Sequence, residues 1–291
     1  MKAIPSGLRF CSHYAADQAQ REALNKLTEG TFDLDLGPLA EFNFEDPDVV
    51  PFSYFDEDGR CVANASVYPV RTILDGATGN AFAMQSVATR PEWRMRGLFL
   101  DLVTRALEWC DARAPLTMLK TDTPALYTRF GFKTRPRVHF SVATKDVPVE
   151  RVEVRDIELP RDAGLLKRLL RERTPISNRI SLIDYGAVFF LEAVSGAFTA
   201  LRYLPDYGIV IALSNAPDGT LRVDNIVGHK IPPFPALLGA LDMAPDAVEF
   251  AFPPDLLGVY AETQPLVQTS TFMTRGKFAV REPFRLPVGG I

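Results

Sequence analysis

Three stretches rich in Phe, Tyr and Val, "VVPFSYF", "CVANASVYPVRTIL" and "AFAMQSVATR", follow one another between residues 50 and 90. Only Asp58-Gly59 with its neighbours and the short "DGATGN" separate them. Connections this short force antiparallel neighbours, because a parallel neighbour needs a crossover of about a dozen residues. The third stretch then runs through the turn "RPEWRMRG" into a helical pattern. Leu98, Phe99, Leu102, Val103, Ala106, Leu107 and Cys110 make its apolar face, and Asp101, Arg105, Glu108 and Asp111 the opposite one. A helix before the hairpins ("YAADQAQREALNKLTEGTF", with Gly30 as its stop), a buried strand "APLTMLKTD", a short helix "PALYTRF" and a strand pair in "FKTRPRVHFSVAT" complete the first half.

A charged, proline-containing stretch, "TKDVPVERVEVRDIELPRD", interrupts this pattern, and the same order of elements then starts again. The second half offers the helix "DAGLLKRLLRER", the hairpin "FTALRYLPDYGIVIAL", a turn at Asp218-Gly219 and the strand "LRVDNIVG". The helix "FPALLGALDM" and the strands "AVEFAFP" and "TSTFMTRG" follow. Two domains are expected, 1–148 and 149–291, each an α/β (α+β) unit with a mixed, largely antiparallel sheet flanked by helices. A length of 291 residues suits two such units.

A net charge of −4 argues against a nucleic-acid or anionic-membrane partner. Cys11, Cys61 and Cys110, like His13, His139 and His229, are scattered, so neither a disulfide framework nor a metal site is expected. No run reaches the roughly 18 apolar residues that span a bilayer, and the expected location is cytoplasmic.

The turn before the apolar helix holds Arg94, Met95, Arg96, Gly97, Leu98 and Phe99. Amides at a helix start point outward, a glycine permits close approach, and two arginines add charge-assisted bonds, which together suit a pyrophosphate. There is no GxxxxGK[ST], no GxGxxG after a strand and no GxSxG, so three common site types are excluded.

The succession "AFAMQSVATRP", "EWRMRG", helix, "TMLKTD" and "ALYTRFGF" resembles the GNAT (Gcn5-related N-acetyltransferase) superfamily over roughly residues 8 to 145. The resemblance implies that Arg94 to Leu98 grip the pyrophosphate of acetyl-CoA, with Phe99 standing where the family has a small residue. It implies that the backbone of Val87, Ala88 and Thr89 aligns the pantetheine arm and that Tyr127 protonates the leaving thiolate. The pairing "RPEWRMRGL" with "LYTRFGF" is also similar to the Eis-type branch, in which a degenerate second unit follows the first. In the second half "DNIVGHKIPPFPALLGAL" lacks the RxxGxG pattern and Leu257 stands near the position of the tyrosine, so that half should not bind acetyl-CoA.

The expected reaction is direct transfer of an acetyl group to a primary amine of a small molecule, without metal. A non-catalytic acyl-CoA-binding protein is the alternative. A base is missing from "FAMQSVAT"; Glu41, Glu45, Asp46 and Asp48 in "AEFNFEDPDVV" are candidates, a solvated acidic loop being the other reading, and His13 and His139 are expected to be structural. In the Eis-type branch a terminal carboxylate serves as base; Ile291 is expected not to do so. Acceptor and oligomeric state are not specified by the sequence.

Overall fold

The computed structural model of the chain describes residues 4–183, 186–216, 218–241, 245–267 and 270–290. Strand β1 (Arg9–Ser12) and helices α1 (Gln18–Phe32) and α2 (Gly37–Glu41) precede the hairpin strands β2 (Val50–Phe55), β3 (Cys61–Leu74) and β4 (Ala77–Thr89). Then come α3 (Leu98–Asp111), β5 (Leu116–Thr121), α4 (Ala125–Thr128), β6 (Lys133–Thr134) and β7 (Val138–Ala143). The second half contains β8 (Arg155–Asp156), α5 (Ala163–Arg171), β9 (Ile180–Ile183), α6 (Ala187–Val194), β10 (Ala200–Leu204), β11 (Ile209–Asn215) and β12 (Leu221–Gly228). It ends with α7 (Phe234–Gly239), β13 (Ala247–Phe250), β14 (Glu262–Pro265) and β15 (Thr271–Gly276).

These strands make two mixed, largely antiparallel sheets flanked by helices. The first has the order β1-β2-β3-β4-β5-β15-β6, with β9 on the far end of β3, and the second the order β14-β7-β13-β12-β11-β10-β8. Each sheet contains one parallel pair, β4 with β5 and β12 with β13. The two orders repeat one plan, and they exchange a strand. β15, from the end of the chain, lies between β5 and β6 of the first sheet, while β7 lies between β13 and β14 of the second. A cut between residues 148 and 149 therefore separates both strands from their sheets. Gly276 allows this insertion. Its φ is +93°, and a Cβ there would stand 2.1 Å from the Pro115 carbonyl oxygen.

Helix α3 buries Leu98, Leu102, Val103, Ala106, Leu107 and Cys110 against one face of the first sheet. The opposite face presents Tyr68, Ala83 and Met118 together with Ile180 and Leu182 of β9 and Phe272 of β15, and Phe284 and Leu286 pack on it. Two local expectations are corrected. Helix α1 runs through Gly30 to Phe32 and ends at Asp33, whose left-handed conformation (φ 54°) closes the last turn. Asp101, assigned to the solvent face of α3, is buried at 4% exposure because it accepts hydrogen bonds from Tyr54 (2.7 Å) and Arg105 (2.6 Å).

Candidate active site

Strands β4 and β5 pair at only two positions, Phe82 with Thr117 and Ala83 with Met118. Beyond Ala83 they diverge. The ladder to β3 explains the divergence: Ser66 stands opposite Gln85 and Asn64 opposite Ala88, so β4 spends Ser86 and Val87 where β3 spends Ala65. This is a β-bulge, which bends its strand, and Ser86 sits in it with φ +52°. A buried polar chain holds it there. The Asn64 amide donates to the Ser86 carbonyl (2.7 Å) and to Ser66 Oγ (3.0 Å), and its own oxygen accepts from Ser53 Oγ (2.7 Å). Tyr14 closes the chain on Ser53 at 2.7 Å. Val87 thus lies in the bulge, and Ala88 and Thr89 pair with β3, leaving the edge of β4 that faces β5 without a strand partner among the described residues.

At the end of β4 a 3-10 turn, Pro91–Trp93, leads to Arg94, Met95 and Arg96. The Arg94 Nε donates to the Thr89 carbonyl (3.1 Å), which ties the turn to the strand, and the Arg96 guanidinium lies 4.8 Å above the Trp93 ring. Met95 has φ +60° and is 88% exposed. Gly97 caps α3 with φ +88°, a conformation that favours glycine. The first helical bond runs from the Asp101 amide to the Gly97 carbonyl, so the amides of Leu98, Phe99 and Leu100 have no acceptor within the helix. A helix dipole alone contributes about 0.3–1 kcal/mol to an exposed anion. Direct amide bonds and the two arginines must therefore supply most of any grip on a phosphate group.

Tyr127, on α4, is 6% exposed, and its ring meets Phe99 (5.6 Å) and Phe132 (5.9 Å) edge to face. Phe99 also packs on Phe130 at 5.9 Å. The large side chain at position 99 therefore turns away from the amides and becomes a wall for the tyrosine. Burial pushes the Tyr127 hydroxyl up to about 12, so it stays protonated near neutrality and able to donate. No described residue hydrogen-bonds it.

The other candidates are dispersed. Glu45 pairs with Arg21 at 3.1 Å, Asp46 accepts from the Asp48 amide, and Phe44 of the same loop stacks on Phe190 of α6 at 3.8 Å. The loop between α2 and β2 thus docks on the second half, and Glu41 and Asp48 are exposed. His13 bonds Ser12 and packs edge-on to Phe52 and Trp109, whereas His139 lies 2.8 Å from Glu249 in the second sheet. Ile291 lies outside the described residues.

Sequence reasoning missed two features. One is the Tyr14–Ser53–Asn64 chain, whose members are far apart in sequence. The other is Lys120, where the apolar strand "LTMLKTD" is broken by a cation; the sequence shows that signal but not what surrounds it.

The second sheet contains the same divergence in a different state. Strands β12 and β13 pair at Arg222–Glu249 and Val223–Phe250, and β12 then bulges at Asp224. Here the C-terminal segment has moved in. The Val288 amide donates to the Asp224 carbonyl (3.2 Å), and the Asn225 amide donates to the Val288 carbonyl (2.9 Å). Leu257, 6% exposed, ends the 3-10 turn Asp255–Leu257 that follows β13, the place held by Tyr127 after β5.

Residues 49–135 match the model of an acetyltransferase (GNAT) domain. Among solved structures the chain is similar to a probable N-acyltransferase from Enterococcus faecalis V583 (14% identity, TM-score 0.59) and to Eis1 from Mycobacterium abscessus (18%, 0.59). It is also similar to a GCN5-related N-acetyltransferase from Kribbella flavida (21%, 0.53). Each alignment covers 92% of this chain and 72% of the other, so the likeness in fold extends over both sheets. A search of curated proteins by sequence finds no match. No helix among the described residues is long and apolar enough to cross a membrane.

Proposed function

We propose that this chain, whose residues 49–135 match the model of an acetyltransferase (GNAT) domain, moves an acetyl group directly from acetyl-CoA to a primary amine of a small acceptor. The observation that carries this reading is the open divergence of β4 from β5 beside an amide-rich turn and a protonated tyrosine. In it, Arg94, Met95, Arg96, Gly97, Leu98 and Phe99 form the pyrophosphate turn through their backbone and the two arginines. Val87, Ala88 and Thr89 offer the free strand edge to the pantetheine, and Tyr127 donates its proton to the departing thiolate.

Direct transfer is favoured over an acyl-cysteine. Burial pushes Cys61 and Cys110 up to about 12, which leaves negligible thiolate at neutral pH. Residues 1–148 carry this donor site, and 149–291 form a degenerate unit that lends β15 and the cover of the far face. The place of action is the cytoplasm.

The test is release of free thiol from acetyl-CoA with a panel of primary amines, with the acetylated product identified by mass. The proposal expects amine-dependent release that falls by about 10²–10⁴ in Tyr127→Phe, while acetyl-CoA affinity changes less than about twofold. Binding without release, for every amine offered, would instead support a non-catalytic acyl-CoA binder.

A further inference from the structure

The far face of the first sheet, opposite α3, holds Lys120 two residues beyond the last β4–β5 pair. Alternation along β5 puts Lys120 on the face of Leu116 and Met118, and its cross-strand partner on β15 is Phe272 of the same face. Two further cations converge here. The Phe272 ring packs on Phe284 at 6.1 Å, and the Phe284 carbonyl accepts from the Val138 amide. Arg285 and Arg137 are the chain neighbours of those two residues.

Their partners differ. Arg285, 3% exposed, donates to Glu249 at 2.7 Å, and Arg137 donates to the neutral carbonyl of Ser270 at 2.6 Å. Lys120 makes no ion pair with any described residue. It is exposed to solvent, yet its surroundings disfavour its charge, by desolvation first and then by the fields of Arg137 and Arg285, against which only Glu192 of α6 acts. Lys120 thus holds its ammonium at an exposed position whose neighbouring charges include two other cations. Three cations against the carboxylates of Glu249 and Glu192 leave one positive charge in excess. Such an arrangement weakens folding unless an anion answers it.

We propose that Lys120, assisted by Arg137, binds a carboxylate of the acceptor, so that the substrate is an amine that also carries an acid group, as an amino acid does. This rests on the acetyl-transfer reading. With the pyrophosphate turn and Tyr127 on the α3 side of the sheet, an acceptor reaches the diverging strands from the opposite face, where Lys120 stands. The same positive field disfavours an ammonium and favours the neutral amine that attacks a thioester. That matters in a site whose strand β4 offers no carboxylate.

The experiment measures thiol release with matched pairs, each common amino acid against its C-terminal amide, for wild type, Lys120→Met and Lys120→Arg. The proposal expects acids to be preferred by about tenfold to a hundredfold, the worth of one charged hydrogen-bonded contact. Lys120→Met should raise KM for the acid by that factor, with kcat and acetyl-CoA affinity little changed, and Lys120→Arg should recover most of the loss. Amides used as well as acids, or a preference that survives in Lys120→Met, would overturn the carboxylate site and leave acetyl transfer standing. If no amine is turned over, acetyl transfer fails, and calorimetric titration of the CoA-loaded protein with N-acetyl amino acids and N-acetyl amino amides decides the site separately. Acid-selective binding lost in Lys120→Met supports it, and unselective binding overturns it.

Discussion

The two sheets share a plan, and they differ in what stands where their parallel strands diverge. In the first, β4 leaves β5 after Ala83 with an edge unpaired among the described residues, a glycine-capped helix start and Tyr127 nearby. In the second, Val288 hydrogen-bonds to Asp224 and Asn225 at the corresponding bulge, and Leu257 stands in the place of the tyrosine. The two halves repeat one architecture and differ in a few local residues at the divergence. A C-terminal segment bonded to the bulge gives a physical reason for the second half to refuse the donor that the first is proposed to bind.

The comparison is broken most completely by separating the halves. A chain ending at residue 148 loses β15 from between β5 and β6, and β7 loses its neighbours β13 and β14. That chain is expected not to fold. A cooperative thermal transition with intact circular dichroism would show that the strand exchange is dispensable.

Smaller changes sharpen the contrast. Asn64→Ala removes the donor to the Ser86 carbonyl and leaves buried Ser53 without its acceptor, which is expected to cost about 1–3 kcal/mol of stability. It should also weaken acetyl-CoA binding, since the bulge it holds shapes the opening. Asn225→Ala removes the bond to the Val288 carbonyl and is expected to reduce stability by about 0.5–1.5 kcal/mol, with acetyl-CoA affinity unchanged. Urea unfolding and calorimetry on both variants check the pair; equal effects on affinity would erase the distinction between the halves.

A further effect is an alkaline one. Burial pushes Cys61, Cys110, Tyr54 and Tyr127 up to about 12 from ordinary values of 9 to 10, and all four lie in the first half. A raised folded pKa stabilises fully below the unfolded value, and that share is lost as pH rises through the folded value. Stability from these groups should thus be level below about pH 9 and decline toward pH 12. Fluorescence of Trp93 and Trp109, the two tryptophans and both in the first half, reports it; a melting temperature that rises over that interval would contradict the sign.

Much of this was legible in the sequence for local reasons. Short turns fixed the hairpins, the apolar face fixed α3, and the glycine and arginines before it marked the turn. Non-local choices were not legible. Nothing in "TSTFMTRG" distinguishes a strand of its own sheet from one inserted in the other, because the pattern carries apolar residues for both faces, Phe272 and Met273, and names no neighbour. Asp101 follows a polar period on α3 and is buried by Tyr54, a residue 47 positions away. The bulge in β4 depends on Asn64, and the electrostatic surroundings of Lys120 on Arg285 at the far end of the chain.

The central claim is that one opening binds the donor and the other is closed, and the number of acetyl-CoA sites per chain tests it most directly. Calorimetric titration of the full-length chain should give one site, abolished by Gly97→Glu, which sets a negative charge in the turn at a position with φ +88°. Two sites per chain, or a single site that survives Gly97→Glu in a folded protein, would contradict it.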